Sequence, residues 1–264
     1  MHTVAVYIAV LLVTPPLAGL AILGVAFRVR DRPGGLFDHL PRLWARAIIW
    51  ASGSRVRVHG KARMRTGEPR VYVCNHVSWF DVFTLASVLP RYKFVAKAEL
   101  ARIPIFGPGA RAVGTVFIER DNRKRAFGSY QVAAEQIRAG SPVVVYPEGT
   151  RGNTYALRPF KKGPFVLAIA AGVPVVPTLI HGTIDIMPRG GWWIRPGSVD
   201  IHLLEPVETA GLSYGDRDQL MRLVWRRMAD AMRDLYGVES SGAAISTAEG
   251  QDAPDERVSR ATGR

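Results

Sequence analysis

Between Arg55 and Leu204, seven short runs rich in valine and isoleucine recur, bounded by glycine or proline and interleaved with stretches of helical periodicity. Strands that are apolar along their whole length must be covered on both faces. Connections long enough to hold a helix favour parallel neighbours. The runs are Arg55–His59, Val71–Cys74, Phe94–Ala96, Thr115–Ile118, Val143–Tyr146, Val175–Ile180 and Val199–Leu204. Helical patterns fall at Trp79–Leu89, Asn122–Ala139, Pro164–Ala171 and Arg217–Tyr236. The expectation is an α/β fold, a largely parallel central sheet of about seven strands flanked by helices. Ligands of such sheets sit beyond the carboxyl ends of the strands. Chemistry is therefore sought just after Cys74, Ile118 and Tyr146.

Two segments flank this region. Val4 to Phe27 carries no charged side chain, and about 20 such residues suffice to cross a hydrocarbon core as a helix. Pro15-Pro16 in its middle predicts a kink or a pair of short helices. A cleaved secretory signal would place basic residues before the apolar run; here Arg28, Arg30 and Arg32 follow it. The segment is expected to anchor the chain in the cell membrane, with the C-terminal bulk on the cytoplasmic side. From Leu36 to Trp50 apolar residues recur at helical spacing, with Arg42 and Arg46 set apart from them. That pattern suits a helix in a headgroup layer or an ordinary helix packed on the core; the adjacent anchor favours the former. The domain reading is 1–51 anchor and interfacial helix, 52–238 catalytic domain, and 239–264 a disordered tail poor in large apolar residues.

The net charge of +13 suits an anionic partner, whether a phosphate-bearing substrate or an acidic lipid surface. The arginines are scattered and follow no reading motif, so nucleic acid is not expected. The single cysteine, Cys74, excludes an internal disulfide and any cysteine-based zinc site. His39, His59, His181 and His202 show no paired spacing, and no metal is expected.

Three strand ends carry candidate chemistry. After Val71–Cys74 comes Asn75-His76-Val77-Ser78-Trp79-Phe80-Asp81. A neutral imidazole oriented by a carboxylate removes a proton from a hydroxyl near neutral pH. The competing reading makes Ser78 and Asp81 a helix-capping pair and His76 a bystander. After Thr115–Ile118 comes Glu119-Arg120, where a guanidinium can grip phosphate or carboxylate with two parallel bonds, or simply end a solvated strand. After Val143–Tyr146 comes Pro147-Glu148-Gly149-Thr150-Arg151, in which glycine permits close backbone approach and Thr150 and Arg151 offer donors. Lys161 and Lys162 precede a helix start, a favourable place for an anion.

Taken together these residues resemble the phospholipid and glycerol acyltransferase family, whose lysophosphatidate acyltransferases make phosphatidic acid. Its first block, Asn-His-x-x-x-x-Asp, is matched by Asn75, His76 and Asp81. Its second ends in Arg, matched by Arg120, and its third, Glu-Gly-Thr-Arg, is matched in full by Glu148 to Arg151. A proline-centred fourth is matched at Pro177, and Lys97, Glu99, Leu100, Pro104 and Gly107 look like the stretch between the first two blocks. The resemblance implies transfer of a fatty acyl group from acyl-CoA or acyl carrier protein, as co-substrate without other cofactor, to the sn-2 hydroxyl of 1-acylglycerol-3-phosphate (lysophosphatidic acid). It implies His76 as base, Asp81 as its orienting partner, and Lys97, Arg120, Glu148, Gly149, Thr150 and Arg151 around the acceptor phosphate and glycerol. The same chemistry on another lysolipid, a lyso-ornithine lipid or a lysophospholipid, is the alternative.

Overall fold

The valine-rich runs form the strands that the alternation predicts, each within two residues of its expected ends. In the computed structural model, which describes residues 1–64, 68–119 and 132–241, they are β1 (Arg55–His59), β2 (Val71–Cys74), β3 (Lys93–Lys97), β4 (Val116–Ile118), β5 (Val143–Val145), β6 (Val175–His181) and β7 (Ser198–Leu203). They build one seven-stranded sheet in the order β1-β7-β6-β2-β5-β3-β4. Pairing is parallel throughout except between β6 and β7, so β1 and β7 run opposite to the other five.

Period-two alternation sends each central strand to two cores. Val71 and Val73 of β2 join Val143, Val145 and Val175 on one face. That face is covered by the helical stretch 132–138 (α5), by α6 (Gly163–Ala171) and by α8 (Arg217–Tyr236). Tyr72 and Cys74 point the other way with Val144, Tyr146 and Val176. Over them lie α1 (His2–Ala26), α2 (Leu36–Ala51) and α3 (Phe80–Val88). Phe80, Leu85 and Leu89 are wholly buried there, each contributing about 1.5–3 kcal/mol of apolar burial. Two short helices, α4 (Phe106–Ala112) and α7 (Thr183–Ile186), complete the set.

One expectation is corrected. α1 is a single helix that runs through Pro15 and Pro16. It is supported on both sides of them, by the Trp44 Nε1 bond to Thr14 Oγ1 (2.9 Å) and by Ala18 resting on Gly109 of α4. α2 packs Phe37, Leu40, Ala45 and Ile48 on the core and leaves Leu43 and Trp50 exposed. Arg42 donates to the carbonyls of Leu89 and Pro90, and Arg46 to that of Ser87. The arginines therefore satisfy the carbonyl end of α3. A buried ion pair completes the docking: Asp38 of α2 meets Arg91 at 3.1 Å, and Asp31 holds both Arg91 and Lys93. Residues 1–51 thus share a core with the sheet. The expected helix Asn122–Ala139 is described only from residue 132, and residues 242–264 of the expected tail lie outside the described part.

Candidate active site

Four neighbouring strands, β6, β2, β5 and β3, deliver their carboxyl ends to one place, and the candidate residues follow them. At the end of β2 the Asn75 side chain replaces the ladder. Its Nδ2 donates to Ile180 O at 2.9 Å and its Oδ1 accepts from Ile180 N at 2.8 Å. Val77 and Ser78 then turn tightly, so that a spacing of five still brings His76 Nδ1 within 2.8 Å of Asp81 Oδ2. The same oxygen accepts from the amides of Val77 (2.7 Å) and Ser78 (2.8 Å), and Oδ1 accepts from Thr183 Oγ1 at 2.6 Å. Asp81 thus does both jobs that the sequence left open: it reaches back to amides at the start of α3 and it orients the histidine.

Asp81 is 0% exposed, whereas the His76 side chain keeps 15% of its surface. A carboxylate oxygen surrounded by three N–H donors places the imidazole proton on Nδ1. That leaves the Nε2 lone pair without a partner among the described residues. The Tyr146 ring stacks on the imidazole at 4.1 Å, fixing its plane. The Tyr146 hydroxyl is buried and has no hydrogen-bond partner among the described residues.

The turn after β5 grips the histidine backbone. His76 N donates to Glu148 Oε1 at 3.0 Å, and Gly152 N donates to His76 O at 2.7 Å. Glu148 is buried, and that burial pushes its carboxyl up to about 8 against the opposing pull of the His76 amide and Arg158. Gly149 (φ 75°) closes the turn by donating to Tyr146 O at 3.1 Å, a conformation that favours glycine. Thr150 and Arg151 reach the rim. Arg151 lies 5.0 Å above the Trp79 ring, and Arg189 donates to its carbonyl at 2.8 Å. Burial, and then the second guanidinium, hold Arg151 below its usual value.

From His76 an apolar cavity of about 320 Å³ runs under α1, α2 and α4. Its walls include Ala18, Trp44, Phe94, Phe106 and Ala110, and Lys97, Thr150 and Arg151 line it as well. Lys97, at the end of β3, pairs with Glu99 at 2.7 Å.

The structure thus brings His76, Asp81, Lys97, Gly149, Thr150 and Arg151 to one cavity or its rim, and turns Glu148 inward onto the His76 amide. Arg120 lies outside the described residues. Lys162 is drawn away to Asp218 of α8 (3.3 Å). Sequence reading missed Thr183 and Tyr155. The Tyr155 hydroxyl accepts from the amides of Gly182 (2.7 Å) and Ile184 (3.0 Å), which positions the threonine that holds Asp81. It also missed the grouping of His59, Asp200 and His202, whose ligand-type atoms all lie within 4.8 Å of one another. The register of β1 against β7 creates that cluster, and spacing along the chain cannot reveal it.

The chain is similar to known proteins over the same region. Residues 55–181 match the family described as Acyltransferase. The lyso-ornithine lipid O-acyltransferase of Pseudomonas aeruginosa is 34% identical over 231 residues, covering 78% of this chain and 86% of that protein. The chain belongs to the acyltransferase family. A human family member, 1-acyl-sn-glycerol-3-phosphate acyltransferase beta, is 33% identical over 190 residues, or 70% of this chain and 67% of the human one. The crystal structure of PlsC, the 1-acyl-sn-glycerophosphate acyltransferase of Thermotoga maritima, superposes with a TM-score of 0.73 at 27% identity, covering 91% of this chain and 97% of that one. The match covers between 49% and 66% of the length of the nematode, plant and algal acyltransferases that resemble it.

Proposed function

We propose that this acyltransferase moves a fatty acyl group from acyl-CoA or acyl carrier protein to the sn-2 hydroxyl of 1-acylglycerol-3-phosphate, giving phosphatidic acid at a membrane surface. The observation that carries the reading is the His76–Asp81 pair at the mouth of an apolar cavity, with Arg151 on the same rim. An acyl chain fits the cavity, and a phosphate suits a rim where Arg189 donates to the Arg151 carbonyl and the two guanidinium charges repel.

His76 Nε2 takes the proton of the acceptor hydroxyl as its oxygen attacks the thioester carbonyl. Asp81 stabilises the imidazolium that forms. The tetrahedral intermediate then collapses, the C–S bond breaks, and the thiolate leaves with the proton returned by His76. The acceptor is itself the nucleophile, so no acyl-enzyme is needed. Base catalysis supplies roughly 10²–10⁴-fold, and holding both substrates at one rim supplies more.

Membrane attachment rests on α1. It is long and apolar enough to cross a bilayer by length and composition, and it is packed along the catalytic body on one side while Leu11, Leu12, Leu20, Leu23 and Phe27 face outward. Lyso-ornithine lipid is the second reading for the acceptor, favoured by the long match to the Pseudomonas relative. The test is transfer of labelled acyl groups from both donors to a panel of lysolipids. Turnover of 1-acylglycerol-3-phosphate well above the others is expected; preference for an acceptor lacking phosphate would refute the phosphate assignment.

A further inference from the structure

A hairpin-like loop follows α7, and it bears two adjacent tryptophans that are more than half exposed. Trp192 and Trp193 are 57% and 59% exposed, and their ring centroids lie 4.0 Å apart. Exposed indoles are costly in water and preferred where one end of the ring is apolar and the other wet. Arg189 and Arg195 flank them and are also exposed.

The loop is joined to the apolar helix. Tyr7 Oη donates to Trp192 O at 3.1 Å. Ile194 N donates to Thr3 Oγ1 at 2.8 Å, and Ile194 itself is buried in the same core as Val6. Val4 and Tyr7 on the outward side of α1 are at least half exposed. α2 also ends here: Gly53 lies against the His2 ring, three residues after Trp50, which is 84% exposed. An aromatic belt with flanking cations therefore continues the apolar surface of α1.

The loop is joined to the catalytic rim as well. Ser78 Oγ donates to Met187 O at 2.6 Å, Arg189 donates to Arg151 O at 2.8 Å, and Arg195 N donates to Ile186 O at 3.0 Å.

We propose that residues 187–195 form a second membrane contact, with Trp192 and Trp193 seated in the headgroup zone of an anionic bilayer, and that it sets the tilt at which the active-site rim meets the lipid. Charge complementarity and continuity with α1 favour a lipid surface over a protein partner. The inference rests on the membrane-bound reading above, and its test separates from that reading.

Full-length protein is bound to vesicles of brominated phosphatidylcholine and phosphatidylglycerol. The bromine-quenchable share of tryptophan emission is compared with that of W192F/W193F. A clear fall in the quenchable share is expected; an equal share overturns the proposal. In parallel, W192S/W193S is assayed on vesicle-borne acceptor and on detergent-dispersed acceptor. Turnover on vesicles should fall about three- to tenfold while the detergent rate holds, and R195Q should lose rate on anionic vesicles alone. An unchanged vesicle-to-detergent ratio, or loss of a dimer in W192S/W193S without any bromine quenching in the native chain, overturns it. Quenching without acyl transfer in the native protein would refute the proposed activity and leave the contact standing.

Discussion

Asp81→Asn isolates charge from shape. The carboxylate is wholly buried and accepts from His76 Nδ1, the amides of Val77 and Ser78, and the Thr183 hydroxyl. Asparagine can keep its oxygen at the Oδ2 position, where three N–H groups converge, and place its amide nitrogen opposite Thr183. The threonine hydroxyl then rotates to accept. Shape and tautomer survive, but the anion that meets the imidazolium does not. Bonds to a charged acceptor contribute roughly 1.5–3 kcal/mol each against about 1 for neutral ones, and breaking a buried ion pair costs about 3–5 kcal/mol. At 1.36 kcal/mol per factor of ten, the transition state loses about two to four decades. The assay is steady-state acyl transfer in detergent, with far-ultraviolet circular dichroism and thermal melting on the same sample. A fall in kcat of about 10²–10⁴ with KM nearly unchanged is expected. A folded D81N enzyme within threefold of the native kcat would refute the base mechanism.

Tyr146→Phe should melt at or above the native temperature and keep activity, because it removes an orphan buried hydroxyl whose burial costs about 1–3 kcal/mol and retains the stack on His76; a loss of kcat beyond tenfold would give that hydroxyl a chemical role. Glu148, raised to about 8 in the fold, binds a proton there over a range in which the unfolded chain has released it. That stability is fully present below about pH 4.5 and is lost as pH rises to about 8. Glu148→Gln, whose amide oxygen still accepts from His76 N, should therefore flatten the fall in melting temperature between pH 5 and pH 8, and an unchanged slope would contradict the assignment. Gly107→Ala should destabilise by about 1–3 kcal/mol in chemical denaturation, since a methyl there would lie 2.2 Å from the Ala101 carbonyl oxygen, which is backbone and cannot swing away. Ala110→Phe should shorten the acyl chain preferred in a competition among donors, because Ala110 lines the apolar cavity; an unchanged preference would place the acyl chain elsewhere.

Most of the sheet was legible because short valine-rich runs bounded by glycine and proline admit few other readings, and all seven strands lie where those runs do. The elements missed are short and set by tertiary contact. α4 spans Phe-Gly-Pro-Gly-Ala-Arg-Ala, which reads as a turn, and it holds as a helix because Gly109 lets Ala18 of α1 approach. For α2, periodicity shows that the helix has two faces and does not show what covers the polar one. Here the end of α3 does, through Arg42 and Arg46. At the site, His76 and Asp81 were legible from the strand-end rule and the motif. Thr183 and Tyr155 were not: Thr183 lies 102 residues beyond Asp81 and meets it only because β6 pairs with β2, and Tyr155 acts through the turn that follows β6.

The Glu148–Gly152 turn holds the amide and the carbonyl of His76 and also carries Thr150 and Arg151. Proton acceptor and anion grip are therefore one mechanical body. A substitution that loosens that turn displaces both together, so its kinetic signature will mix ground-state affinity with turnover, and single-parameter changes at Gly149 or Gly152 should be rare among variants that still fold.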